Sequence, residues 1–120
     1  MASDAQMKPD GVFSLEELGF SPTAALFEGH RHHDVDLSFF FTRTPLGAEV
    51  GLHVHPYHEV FVLIDGEAVY TRGEESIDAG PGTVIVIPPE TPHGFENVGD
   101  VPLVQLGIHE RGTMQQTWLG

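Results

Sequence analysis

Residues 47–66 read GAEVGLHVHPYHEVFVLIDG, and this stretch decides the fold. Val50 to His55 has the length of a strand and is closed by Pro56, which cannot donate to a sheet ladder. Glu59 to Ile64 is unbroken apolar sequence after its first residue, the pattern of a strand covered on both faces. Asp65-Gly66 is a strong hairpin dipeptide, and Glu67 to Thr71 is expected to pair back.

The same rhythm extends outward. Upstream, Thr23 to Glu28 is a short candidate strand and Gly29 to His33 a polar loop. Val35, Leu37, Phe39 and Phe41 then alternate with Asp36, Ser38, Phe40 and Thr42, a period of two. Downstream, Arg72-Gly73-Glu74 and Gly80-Pro81-Gly82 punctuate strands at Glu75 to Ala79 and Thr83 to Ile87. His93 to Asn97 and Leu103 to His109 complete the set. About nine short strands with regular turn signals make an all-β antiparallel sandwich or barrel. The helical signal is a capping box at Ser14 and Glu17, which predicts one turn near residues 14–18. Residues 1–11 are expected to be a flexible tail, and residues 12–120 a single domain.

Composition narrows the chemistry. The 120 residues contain no cysteine, which excludes disulfides, zinc–thiolate sites, iron–sulfur clusters and thiol nucleophiles. The net charge is −13, with five cationic residues against 18 acidic ones. Such a surface repels phosphate backbones and anionic lipid, so neither nucleic acid nor a membrane is expected as a partner. The polar N-terminal residues lack the apolar run of a secretory signal, and the expected location is cytoplasmic.

His53 and His55 sit two apart on a strand, so they share a face with ~6.6 Å between their Cα atoms. Pro56-Tyr57-His58 makes a corner, and Glu59 can return a carboxylate to the same place. His93 opens a later strand. If that strand neighbours the first pair, four ligands close on one point. Three imidazoles and a carboxylate suit one divalent transition ion, Fe, Mn, Co, Ni, Cu or Zn, and not calcium or magnesium. A glutamate entering an apolar strand incurs heavy desolvation unless it meets a cation or hydrogen bonds.

Gly47 to Gly66 has the form G-x5-H-x-H-x3-E-x6-G, and Gly82 to Asn97 the form G-x5-P-x-E-x2-H-x3-N. Together these resemble the two sequence motifs of the cupin superfamily. The resemblance implies a double-stranded β-helix, or jelly-roll barrel, with metal held inside by His53, His55, Glu59 and His93. It departs at Glu90, where the family pattern has glycine. The glutamate is expected to keep an ordinary φ, with its carboxylate in solvent or, alternatively, at the mouth of the site.

Further candidates for contact with a substrate are Tyr57 in the corner and His109 and Gln105 on the last strand. His58 should point away from the ligands. His30, His32 and His33 with Arg31 read as a solvated loop or, alternatively, a lid. Phe39, Phe41, Phe61 and Phe95 read as core or pocket wall. Inward Glu59 implies outward Val60, Val62 and Ile64, and Leu52 and Val54 are expected beside them. An apolar patch of that kind is large for a monomer and predicts a homodimer. The expected function is a metal-dependent enzyme on a small molecule. Dioxygenase-like oxidation leads, with lyase, isomerase or cyclase chemistry next; the alternative is a non-catalytic sensor or storage module.

Overall fold

The computed structural model describes residues 9–120; the remainder of the expected N-terminal tail lies outside the described residues. Two antiparallel sheets enclose the core. The strands are β1 (Gly19–Ser21), β2 (Ala24–Glu28), β3 (Ser38–Thr44), β4 (Glu49–Val54), β5 (Glu59–Asp65), β6 (Ala68–Arg72), β7 (Glu75–Ala79), β8 (Val84–Ile87), β9 (His93–Asn97), β10 (Leu103–His109) and β11 (Thr117–Trp118). One sheet has the order β1-β2-β3-β10-β5-β8 and the other β11-β4-β9-β6-β7. This is the expected all-β jelly roll. Between the sheets, Phe61, Leu63, Tyr70, Ile87, Phe95 and Leu103 anchor one apolar cluster.

The capping box forms as read, with Ser14 N–H donating to Glu17 Oε1 at 2.6 Å and Glu17 N–H to Ser14 Oγ at 3.2 Å. It closes a turn at residues 15–18 and does not grow into a helix. The helix among the described residues is instead α1 (Gly29–His32), in the segment read as loop. A Cβ on Gly29 would lie 1.8 Å from the Val35 carbonyl oxygen, so only glycine lets residues 33–37 fold back upon it. That turn occupies Val35 and Leu37, and the strand expected from Val35 begins only at Ser38.

Asp65-Gly66 turns the chain but makes no hairpin. β5 is already paired on both edges, with β10 and β8, so β6 crosses to the other sheet and pairs with β9 and β7. Gly66 has a φ of 94°, and a Cβ there would lie 2.9 Å from the Pro102 carbonyl oxygen.

Parity on the six-stranded sheet follows from its register. Glu59 faces His109, Phe61 faces Gly107 and Leu63 faces Gln105, all inward. Val60 and Val62 therefore face outward beside Ile108 and Leu106. Phe39 and Phe41 pair with those same outward positions, so they lie on the outer face, and Phe40 takes the pocket-wall role expected of them. Leu52 and Val54 do not extend this patch, because β4 belongs to the other sheet. Val84 and Val86 of β8 extend it instead.

Glu90 departs from its expected backbone. Its φ is +57°, the left-handed region that favours glycine. Its N–H donates to the His55 carbonyl at 2.8 Å, which ties the β8–β9 corner to the corner after β4. The side chain is exposed. Glu90→Gly is expected to relieve the strain and stabilise the fold by roughly 0.5–1 kcal/mol. In thermal unfolding that is a rise in Tm of about 2–5 °C; an unchanged or lower Tm would refute it.

A candidate metal centre between the sheets

The register brings the four ligands together from both sheets. His53 on β4 faces His93 on β9. His55 lies just past the end of β4, in the corner that carries the chain to Glu59 at the start of β5. One ligand atom from each of His53, His55, Glu59 and His93 lies within 4.8 Å of all the others, and all four residues are buried. The set read from the sequence is thus the set the fold assembles.

Each imidazole is fixed by a backbone carbonyl. The Nδ1–H of His53 donates to Gly51 O at 2.8 Å, that of His55 to Gln115 O at 2.7 Å, and that of His93 to Thr91 O at 2.9 Å. The Nε2 of a neutral ring then carries a lone pair. The Nε2 atoms of His55 and His93 both lie 3.0 Å from Glu59 Oε1. Two acceptors at that distance need a cation or a proton between them. Donating the distal N–H to a carbonyl is also how metal-bound histidines are oriented. The donor set and its geometry fit a divalent transition ion.

Glu59 is 4% exposed. Burial pushes its pKa up, but the hydrogen bond from His109 and the close polar contacts with the His55 and His93 rings outweigh this and hold it well below the usual carboxylate value. Burial, with repulsion from His93 and His55 outweighing the attraction of Glu59, lowers the His53 pKa to about 4 despite its bond to Gly51. Both shifts leave ligands in their metal-binding form at neutral pH. They also set the acid response of the metal-free protein. His53 protonates in the unfolded chain near 6.5 but in the folded one only near 4, so stability falls as pH drops through that window. Glu59 contributes stability above 4.5 that is lost as it protonates at lower pH, the same sign. Tm is expected to decline steadily below pH 6.5, and bound metal to leave over the same range. A Tm that is flat from pH 7 to 4 would contradict these environments.

His109 and Tyr57 join the centre from behind. His109 Nε2 lies 3.2 Å from Glu59 Oε2, and its Nδ1 lies 2.7 Å from the Tyr57 hydroxyl. A carboxylate only accepts, so Nε2 carries the proton, and in the neutral ring Nδ1 accepts from Tyr57 O–H. Gln115 N–H donates to the Tyr57 oxygen at 3.0 Å. The chain from Gln115 through Tyr57 and His109 holds Oε2, leaving Oε1 to face the imidazoles. Burial raises the Tyr57 pKa to about 12. Gln105 is buried too, with its side-chain carbonyl accepting from Tyr70 O–H.

The other histidines stay out. His58 pairs with Glu110 at 2.9 Å on the exposed side of the corner. His30 pairs with Asp36, His32 accepts from Glu28 N–H, and His33 reaches Asp10. Sequence reading missed the C-terminal strand: β11 pairs with β4, Trp118 lies 4.9 Å from His53 ring to ring, and Gln115 O orients His55. No motif marks a contribution made by a carbonyl.

A cavity of about 230 Å³ opens against His53, Glu59 and His109. Phe40, Phe61 and Phe95 wall it, and Thr42, Gln105, Phe20 and Trp118 also line it.

The Cupin_2 family of cupin domains matches residues 39–109, more than half of the chain. The chain is a cupin. Over 60 residues this cupin is 38% identical to the uncharacterized protein MJ1618 of Methanocaldococcus jannaschii, a match spanning 49% of this chain and 48% of that one. The cupin thus aligns with about half the length of that relative. Among solved structures, an uncharacterized double-stranded β-helix protein of Klebsiella pneumoniae superposes with a TM-score of 0.74 at 21% identity, covering 93% of this chain and 99% of that one. The oxalate decarboxylase of Lactobacillus farciminis, as a formate complex, superposes with a TM-score of 0.79 at 20% identity, covering 89% of this cupin and 35% of that chain. At such identities these likenesses concern the fold.

Proposed function

We propose that this cupin is a metal-dependent enzyme acting on a small molecule, with oxidation by dioxygen as the leading reaction class and lyase, isomerase or cyclase chemistry next. The observation that carries the reading is the cavity that meets two of the four ligands, His53 and Glu59. A closed structural site has no such access. When bound, the metal supplies Lewis-acid activation and, as iron or manganese, redox chemistry toward dioxygen. The protein's own part is to hold three imidazoles, each with its Nδ1–H on a backbone carbonyl, and one carboxylate in place.

The test begins with metal analysis of protein purified without chelators, followed by oxygen uptake with each loaded ion over phenols, diketones and thiols. Uptake with one ion and one substrate class supports the oxidase or oxygenase reading. No uptake with any loaded metal removes it. The second reading, a non-catalytic sensor or storage module, is favoured by one detail. His109 and Tyr57 have their polar atoms engaged with Glu59 and Gln115, which leaves no free acid or base among them. Tight binding of a small molecule without turnover would select that reading.

We also propose that the protein is a homodimer through the outer face of the six-stranded sheet. Val60, Val62, Val84, Val86, Leu106 and Ile108 line up there without a charge between them. In a chain of net charge −13, such a face is where a second copy approaches without opposing like charges. Exposed apolar patches beyond a few hundred Å² mark interaction sites. Light scattering is expected to give twice 13.1 kDa. Val86 is 47% exposed, so Val86→Lys should leave the fold intact and yield the monomer mass. A wild-type monomer at high concentration would refute the dimer.

A further inference from the structure

The cavity has a chemical character of its own. None of the described cationic residues lines it; Glu59 is the one acidic side chain that does. Arg111 stacks over Tyr57 at 5.3 Å, and neither residue lines the cavity. An anionic ligand would therefore have no partner except the metal itself, and burying an unpaired carboxylate is costly. The walls between the metal centre and the far end are aromatic.

The far end is polar. Thr42 pairs with Gln105 across β3 and β10, so their side chains share the inner face. Thr42 Oγ1 is buried and, among the described residues, is the side-chain polar atom without a hydrogen-bond partner. Buried polar atoms are normally satisfied, and one that is not calls for a reason. Gln105 accepts from Tyr70 through its carbonyl, which leaves its amide N–H groups as the end available to a ligand. From His109 to Gln105 is four residues along β10, or ~13 Å at strand rise. Gly107 lies midway, and a Cβ there would sit 2.6 Å from Glu59 Oε2 and 3.3 Å from the Phe61 ring. Its bare backbone gives that space to the Glu59 carboxylate and the Phe61 ring, which line the middle of the cavity. A cavity of ~150 Å³ holds a benzene ring, so 230 Å³ holds one ring with small substituents.

We propose that this cavity takes an uncharged molecule of single-ring size, with oxygen donors for the metal at one end and a hydrogen-bonding group for Thr42 and Gln105 at the other. The proposal rests on the metal-centre reading above. It places the substrate of this cupin apart from a small dianion such as oxalate.

Trp118 is the only tryptophan of the chain and lines the cavity, so its fluorescence reports occupancy without turnover. The experiment titrates Zn²⁺-loaded protein, in which the ion itself is redox-inert, with three probes. These are 3,4-dihydroxybenzamide, 3,4-dihydroxybenzoate and catechol, which share a chelating head and differ at the far end. The amide is expected to quench Trp118 and to bind at least tenfold more tightly than the carboxylate. Thr42→Val, which keeps the shape and removes the hydroxyl, should weaken the amide about tenfold and leave catechol unchanged. Equal or tighter binding of the carboxylate overturns the proposal, as does the absence of quenching by all three on zinc-loaded protein. An unaltered amide affinity in Thr42→Val removes Thr42 from the assignment. If the protein takes up no zinc yet still prefers the amide, the metal centre and the metal-facing half of the proposal fall, and the uncharged cavity stands.

Discussion

Replacing His55 with alanine is expected to cut metal occupancy to under a tenth while the barrel remains folded. His55 contributes Nε2 at 3.0 Å from Glu59 Oε1 and is itself fixed by Gln115 O. Loss of an outer partner that merely orients a ligand costs 10–100-fold in metal affinity, and loss of the ligand should exceed that. The barrel survives because its apolar cluster, built on Phe61, Leu63, Tyr70, Ile87, Phe95 and Leu103, does not include the ligands. Metal content by elemental analysis, with circular dichroism as the fold control, checks both halves. Wild-type occupancy in the variant would mean that the ligands are misplaced.

Gly94→Ala is expected to damage fold and metal site together. A Cβ on Gly94 would lie 2.5 Å from Val50 O and 3.0 Å from Gly51 O. Both are backbone atoms, so the strain cannot be relieved by a rotamer change; β4 must move away from β9. Those strands carry His53 and His93 in direct register. Overpacking of this kind costs about 1–3 kcal/mol or more, and separating the two imidazoles removes the shared coordination point. Urea unfolding with and without Zn²⁺ separates the effects. The midpoint without metal should drop, and the increment that zinc adds through binding the folded state should shrink toward zero. A variant that keeps the wild-type zinc increment would show that β4 and β9 tolerate the methyl group.

The ligand set was legible because parity and spacing are short-range. His53 and His55 share a face wherever a strand runs, and a lone glutamate heading an apolar strand demands a counter-charge. β9 and β10 begin and end where read, since proline, glycine and asparagine bound them. What failed depended on partners far away in the chain. Asp65-Gly66 marks a turn, but which strand receives β6 is decided by β10 and β8 already flanking β5. Phe39, Phe40 and Phe41 are equally apolar, so hydrophobicity alone could not tell which face was inside. The answer came from Ser38 and Thr42, small polar residues on the inner face. Glu90 at a φ of +57° breaks a local preference that the corner holds in place through the His55 carbonyl. β1 and β11 are three and two residues long, too short to show a period.

Gln115 O lies sixty positions after His55. A nascent chain emerging from a ribosome therefore possesses all four ligands well before it possesses the acceptor that aims one of them. Metal loading is therefore expected to finish late, once Gln115 has reached His55 and residues 117–118 have paired with β4. Deleting residues 115–120 would leave every ligand in the sequence and is expected to spoil the centre.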